Sequence, residues 1–174
     1  MVGWSDLPAD LSDAARISRL ADYLPHGAVI VSSDLLRAVA TADAIAVGRA
    51  RLPHDPDLRE INFGDWELRR FADIEARDPD RIRAFYDRPG DVRPPGGETW
   101  DETSLRVQGA VDRLLAMRLP EIIVVAHFGT ILTQVQRALG VSAYQAFGHR
   151  IDNLSVTEVA FDGGWRAGSI NHIP

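Results

Sequence analysis

The sequence contains no cysteine, no lysine and no long apolar run. Without cysteine, disulfide bonds and catalysis by a thiolate are excluded. Without lysine, a P-loop lysine, a Schiff base and a lysine general base are excluded, so any anion must be bound by arginine, histidine or backbone amides. The longest apolar stretch, residues 122–126, has the length of a strand, far below the roughly 18 residues that span a bilayer.

Composition bounds the class of protein further. A net charge of −6 and a pI near 5.3 argue against a nucleic-acid surface and against a polybasic membrane anchor. The first residues carry neither the basic region nor the apolar stretch of a secretory signal, so we expect a cytoplasmic protein. With 174 residues and 45% apolar content, we expect a single domain over residues 1–174. Nothing in the composition indicates an oligomeric state.

Helical and extended patterns alternate along the chain, which is typical of an α/β fold with a mostly parallel sheet. The spacing of apolar residues predicts a helix over 11–24 behind Ser12 as N-cap. The other predicted helices are 34–47, 70–77, 80–88, 99–118 and 130–139. The predicted extended segments are 28–32, 58–63, a central strand at 121–127, and a terminal hairpin of 154–161 and 165–170.

Arg37 lies just inside the helix that follows the first strand. The free amides of a helix N-terminus favour an anion beyond the carboxyl end of that strand, and a guanidinium matches phosphate oxygens. The alternative is that Ser32, Ser33 and Asp34 only cap the helix while Arg37 lies in solvent.

His127 occupies the equivalent position after the central strand, at the sheet edge where α/β proteins bind ligands. The alternative is a histidine that only stabilises a tight turn. The remaining histidines lie in loops or in the tail and are weaker candidates: His26, His54, His149 and His172. No pair has metal-ligand spacing, so we expect no metal site.

Glu60 lies inside the short apolar segment 58–63, ahead of a glycine turn and Trp66. Burial would raise the pKa of such a carboxyl and suit it to proton transfer. The alternative is an exposed Glu60 without a function. Glu67, further along, is interpreted as a surface or helix-capping residue.

Four segments, SSDLLRAVATADAIA, LREINFGDWE, PPGGET and VVAHFG, together with GWSDLPADLS near the start, resemble the histidine phosphatase superfamily. That family includes the cofactor-dependent phosphoglycerate mutases and many small phosphatases. The resemblance implies a three-layer α/β/α, phosphoglycerate mutase-like fold. It also implies phosphoryl transfer through a phosphohistidine, with no metal and no other cofactor.

The resemblance implies a role for each of the three candidates. Arg37 matches the arginine that binds the phosphoryl group, and Glu60 matches the proton donor to the leaving oxygen. His127 matches the second histidine, which holds the transferring group. Should Glu60 not be the acid, Glu98 is the next candidate. Phe128 and Leu68 depart from the family pattern, which usually has glycine at both positions.

One further departure is larger. The family's nucleophile lies in an Arg-His-Gly tripeptide at the end of a first strand, and the chain has no such tripeptide. We therefore expect a strand and its loop, roughly 10 to 20 residues, to be missing before Met1. The resemblance places that strand between the strands ending at Ser33 and His127. On this view the 174-residue chain is poorly soluble or weakly folded and does not hydrolyse p-nitrophenyl phosphate.

The function expected from these features is hydrolysis of a small phosphomonoester. The Phe-Gly-x-Trp-Glu motif and the short chain favour a phosphatase over a phosphoglycerate mutase. A non-catalytic relative that binds a phosphorylated ligand or a protein partner is the other alternative. An unrelated hydrolase is poorly supported, because Gly-x-Ser-x-Gly and Gly-x-Gly-x-x-Gly motifs are both absent.

Overall fold

The computed structural model describes residues 1–174. The helices are α1 (Ala14–Tyr23), α2 (Leu36–Ala44), α3 (Phe71–Glu75), α4 (Pro79–Asp87), α5 (Trp100–Ala116), α6 (Phe128–Leu139) and α7 (Ala143–Phe147). The strands are β1 (Val29–Ser32), β2 (Ile122–Val125), β3 (Val159–Phe161) and β4 (Trp165–Ala167). Two short 3-10 helices span Pro56–Leu58 and Gly64–Trp66. None of the helices is long and apolar enough to cross a membrane.

Strands β1 and β2 pair directly with each other in parallel, with Val29 opposite Ile122 and Ser32 opposite Val125. The expectation that a missing strand separates them is therefore wrong: their backbones already satisfy one another's hydrogen bonds. Strands β3 and β4 form a separate antiparallel hairpin, as the tail pattern predicted, although it is shorter.

The second edge of β2 has no strand partner. A cavity of about 1440 Å³ lies between this edge and the segment that leads into β3. Val124, in the middle of β2, consequently has 37% of its surface exposed, whereas Ile30 in the neighbouring strand is fully buried. The strand predicted as central over 121–127 therefore has one strand neighbour, β1, and an open second edge.

Helices cover both faces of the β1–β2 pair. Because successive strand side chains point to opposite faces, Ile30 packs against Ile17 and Leu20 of α1, whereas Val31 packs against Ala110 and Leu114 of α5. This arrangement produces the three α/β/α layers. A third apolar cluster beside the pair centres on Phe85, Trp66 and Trp100.

Several local predictions need correction. Asp13, and not Ser12, caps α1, since its carboxylate accepts the backbone N–H of Arg16. Neither Ser32 nor Ser33 caps α2, because the amide of Leu36 is bound by Asp6. Residues 59–63 form no strand and follow the 3-10 helix Pro56–Leu58 as irregular chain. The short helix α7 was not predicted, although Ser142 and Gln145 form its capping box.

Candidate active site

The two strand-to-helix turns that the sequence singled out lie side by side, because β1 and β2 are adjacent and parallel. Arg37, Glu60 and His127 all line the large cavity beside β2. The structure therefore brings the three predicted site residues together. The cavity extends from this end, along the free edge of β2, towards β3 and Trp165.

Arg37 is the second residue of α2, and its guanidinium is partly buried. It donates to the carbonyl oxygens of Gly3 at 2.6 Å and Ser5 at 3.0 Å. The other three N–H groups, one of them on Nε, make no hydrogen bond within the protein and are free for an anion. Burial lowers the pKa of Arg37, and the charges of nearby carboxylates oppose that effect; the group stays protonated.

Glu60 is 6% exposed and lies against the N-terminus of α6. Its carboxylate accepts the backbone N–H of Gly129 at 3.0 Å and of Ile61 at 2.9 Å. Burial raises the pKa of Glu60 above its ordinary value, and these hydrogen bonds offset only part of that effect. A side chain at position 129 could not fit, since its Cβ would lie 2.4 Å from Glu60 Oε1. Glu60 is thus a buried carboxyl with a raised pKa at the N-terminus of α6.

His127 immediately precedes α6 and is 8% exposed. Its Nε2 forms a 2.7 Å hydrogen bond with the hydroxyl of Ser33. Burial, followed by the positive charges of Arg37 and Arg106, lowers the pKa of His127 to about 3. The imidazole is therefore neutral at physiological pH.

This pKa makes stability depend on pH. In the unfolded chain His127 has its ordinary pKa of 6.5 and is protonated below that pH, whereas in the folded chain its pKa is about 3. Stability is therefore lost as the pH falls through that window, by about 3 kcal/mol between pH 7 and pH 4. We expect urea titrations at pH 7 and pH 4 to show that the free energy of unfolding falls by about 3 kcal/mol more in the wild type than in His127→Gln. Equal drops in the two proteins would contradict the assignment.

Arg106 was not predicted, yet it holds the segment that carries Glu60. Its guanidinium donates to the carbonyl oxygens of Asp57, Arg59 and Glu60, at 2.8 to 3.2 Å. Its remaining N–H groups bind the carboxylate of Glu98 at 2.8 and 2.9 Å. All five donors are therefore used, which compensates for the absence of strand pairing around Glu60.

Glu98, the alternative acid, is occupied by the same network. Besides the two bonds from Arg106, it accepts the backbone N–H of Asn62 at 3.0 Å. Its oxygens are therefore engaged by Arg106 and Asn62, and Glu98 does not line the cavity. In the sequence, only the PPGGET motif, which includes Glu98, indicated that Glu98 belongs to the site.

The other candidate residues lie as follows. His54 hydrogen-bonds Ser32 at 3.0 Å and does not line the cavity. Phe128 is 42% exposed at the cavity wall, and Leu68 adopts a positive φ of 59°, a conformation that glycine adopts more readily. Glu67, interpreted from the sequence as a surface or capping residue, instead binds the backbone of residues 3–5. No three side chains form a candidate metal site.

Comparison with known proteins places the chain in a family. The profile described as histidine phosphatase superfamily (branch 1) matches residues 1–172, and the chain belongs to that superfamily. A probable phosphoglycerate mutase, GpmB, of Proteus mirabilis is 30% identical over 98% of the chain and 86% of its own length. The adenosylcobalamin/alpha-ribazole phosphatase of Escherichia coli is 30% identical over 85% of the chain and 71% of its own length.

The fold agrees with this membership. The structure of YhfR from Bacillus stearothermophilus matches all of the chain and 89% of its own chain, with a TM-score of 0.89 and 26% identity. The predicted phosphoglycerate mutase-like α/β fold is thereby confirmed. Three mycobacterial relatives at 32% identity are longer proteins, of which the chain spans 43%.

Proposed function

We propose that the protein hydrolyses small phosphomonoesters through a phosphohistidine. The observation that carries this proposal is the convergence on one cavity of a guanidinium with three free N–H groups, a buried carboxyl with a raised pKa and a neutral imidazole. These groups meet the two needs of phosphoryl transfer, charge stabilisation on the phosphoryl oxygens and a proton for the leaving group.

In the proposed first step, an imidazole nitrogen forms a bond to phosphorus while the bond from phosphorus to the ester oxygen breaks. Arg37 and His127 hold the non-bridging oxygens, and Glu60 gives its proton to the departing alcohol. In the second step the ionised Glu60 takes a proton from water, whose oxygen attacks phosphorus as the P–N bond breaks. Inorganic phosphate leaves, and the nucleophile and Glu60 return to their starting states.

The attacking histidine of this proposal lies outside the 174 residues. His127 is the one histidine that lines the cavity, and its proposed role is to hold the phosphoryl group. We propose that the nucleophile is carried on a strand that pairs with the free edge of β2 and ends beside Arg37. The absence of Arg-His-Gly, the unpaired edge and the cavity along it support this placement.

The relatives carry both mutase and phosphatase names, and the phosphatase branch suits this chain better. The Phe-Gly-x-Trp-Glu motif at residues 63–67 and the short chain support hydrolysis. The net charge of −6 supports a small phosphorylated metabolite as substrate in preference to a nucleic acid. A phosphate-binding protein without catalysis is the second candidate, supported by the lack of a nucleophile within the chain.

Hydrolysis by a strand-extended protein tests this proposal. In the extended protein, an added β-branched strand that ends in Arg-His-Gly is joined to Met1 through a connecting loop. The matched control has Arg-Ala-Gly in place of Arg-His-Gly. We expect the extension to release phosphate from p-nitrophenyl phosphate and phenyl phosphate, without interconverting 2- and 3-phosphoglycerate. The 174-residue chain and the alanine control should be inactive. Turnover by the chain alone, or none by a folded extended protein, would contradict the proposal.

A further inference from the structure

Glu67 receives an unusual number of backbone hydrogen bonds. Its Oε1 accepts the N–H of Trp4 at 2.8 Å and of Phe63 at 3.2 Å, and its Oε2 accepts the N–H of Gly3 at 3.0 Å and of Ser5 at 3.2 Å. Three consecutive amides of one loop therefore point at a single carboxylate. We call residues 3–6 the positioning loop.

The carbonyl groups of the same loop point the other way, at Arg37. Gly3 and Ser5 accept from its two terminal nitrogens at 2.6 and 3.0 Å. The loop backbone thus lies between a carboxylate and a guanidinium, with N–H groups towards the negative charge and C=O groups towards the positive one. Hydrogen bonds aligned in this way polarise and strengthen one another.

Further contacts tie the positioning loop to the rest of the site. Asp6 accepts the backbone N–H of Leu36 at 2.7 Å, at the start of the helix that carries Arg37. The indole of Trp4 donates to the carbonyl oxygen of Glu60 at 2.8 Å. The loop also packs closely against residue 61. A side chain at Gly3 would not fit, because its Cβ would lie 2.1 Å from the carbonyl oxygen of Ile61.

Glu67 is ionised in this setting. Partial burial raises its pKa, but the hydrogen bonds from Ser5, Gly3, Trp4 and Phe63 outweigh that effect and hold the pKa below its ordinary value. The negative charge that orders the loop is therefore present throughout the physiological range of pH.

From this geometry we propose that Glu67 is a positioning residue that holds the Arg37 guanidinium in its anion-binding orientation through the backbone of residues 3–5. The inference rests on the proposed role of Arg37 in binding the phosphoryl group. Two of the five N–H groups of Arg37 are used by the loop, and that use fixes the plane in which the other three are presented.

A double-mutant cycle on inorganic phosphate binding tests the proposal in the 174-residue chain. Calorimetry compares the wild type with Glu67→Gln, Arg37→Ala and the double variant. We expect Glu67→Gln to weaken phosphate binding roughly tenfold and to have no further effect once Arg37 is alanine. Glu102→Gln is the matched control and should leave the affinity unchanged, because Glu102 binds the backbone N–H of Thr99 and the guanidinium of Arg93, and makes no hydrogen bond with residues 3–6.

A second measurement separates this inference from the proposed function. In NMR spectra, a held guanidinium gives separate signals for its terminal N–H groups, and Arg37→Ala identifies them. We expect these signals to merge in Glu67→Gln and to be partly restored in Glu67→Asp, which keeps the charge. If phosphate does not bind while the Arg37 signals still depend on Glu67, the proposed function is rejected and the positioning role is not. Additive effects in the cycle, or Arg37 signals unchanged by Glu67→Gln, would overturn the positioning role.

Discussion

Replacing Glu60 with glutamine in the strand-extended protein is expected to slow hydrolysis of an alkyl phosphate by about 10²- to 10⁴-fold. The amide keeps the shape of the side chain but has no proton to give to the leaving oxygen. A nitrophenolate departs with little help from an acid, so p-nitrophenyl phosphate should be affected much less. The two substrates therefore separate loss of the proton donor from loss of the fold.

Steady-state kinetics with both substrates, alongside Glu75→Gln as control, measure this effect. Glu75 lies on α3, where it pairs with Arg83. Its substitution should leave both rates unchanged. Equal losses for the two substrates in Glu60→Gln would contradict the assignment of Glu60 as proton donor. Glu98 offers no ready substitute, because its oxygens are bound by Arg106 and Asn62.

Replacing Arg37 with alanine in the strand-extended protein should lower kcat/KM by about 10²- to 10³-fold on every phosphomonoester. Arg37 lines the cavity and keeps three N–H groups without a hydrogen bond to the protein, and the charge on the phosphoryl oxygens is the same whatever the leaving group. Arg37→Lys should recover little activity, since one ammonium cannot bind two loop carbonyls and a phosphate with the same geometry.

Stopped assays on several esters check this prediction, with Arg83→Ala as an exposed arginine control. The loss should be similar for good and poor leaving groups, in contrast to Glu60→Gln. A loss confined to poor leaving groups would mean that Arg37 acts on the leaving oxygen and not on the transferring group.

The sequence predicted the two strand-to-helix turns well. Before Arg37 and His127, a run of β-branched residues predicts a strand, and the apolar residues that follow have the spacing of a helix. Local propensity and hydrophobic pattern therefore both favour a strand followed directly by a helix. Parallel pairing of β1 and β2 then brings the two residues together.

The contacts around Glu60 could not be predicted from sequence patterns. Its segment, 58–63, has the composition of a strand, yet Arg106 binds two of its carbonyls and that of Asp57 from a helix far along the chain. The same limit applies to Glu67, whose partners lie more than 60 residues earlier, except for Phe63. Contacts between a side chain and a distant backbone leave no periodic pattern in the sequence.

The order of the strands was mispredicted for a different reason. Similar motifs indicate which strands end at the site, but they do not specify which strands are neighbours. The direct register of Val29 with Ile122 moves the open edge to the far side of β2, next to the hairpin. A strand that paired with this edge would leave the β1–β2 pair undisturbed.

The central proposal is that the chain holds a phosphoryl group for a histidine that it does not itself contain. The most direct test is mass spectrometry of the strand-extended protein, quenched in alkali during turnover of a phosphomonoester. The account predicts phosphohistidine on the tripeptide histidine alone, and none in the 174-residue chain treated in the same way. A phosphoryl group on His127, or turnover without any phosphohistidine, would contradict it.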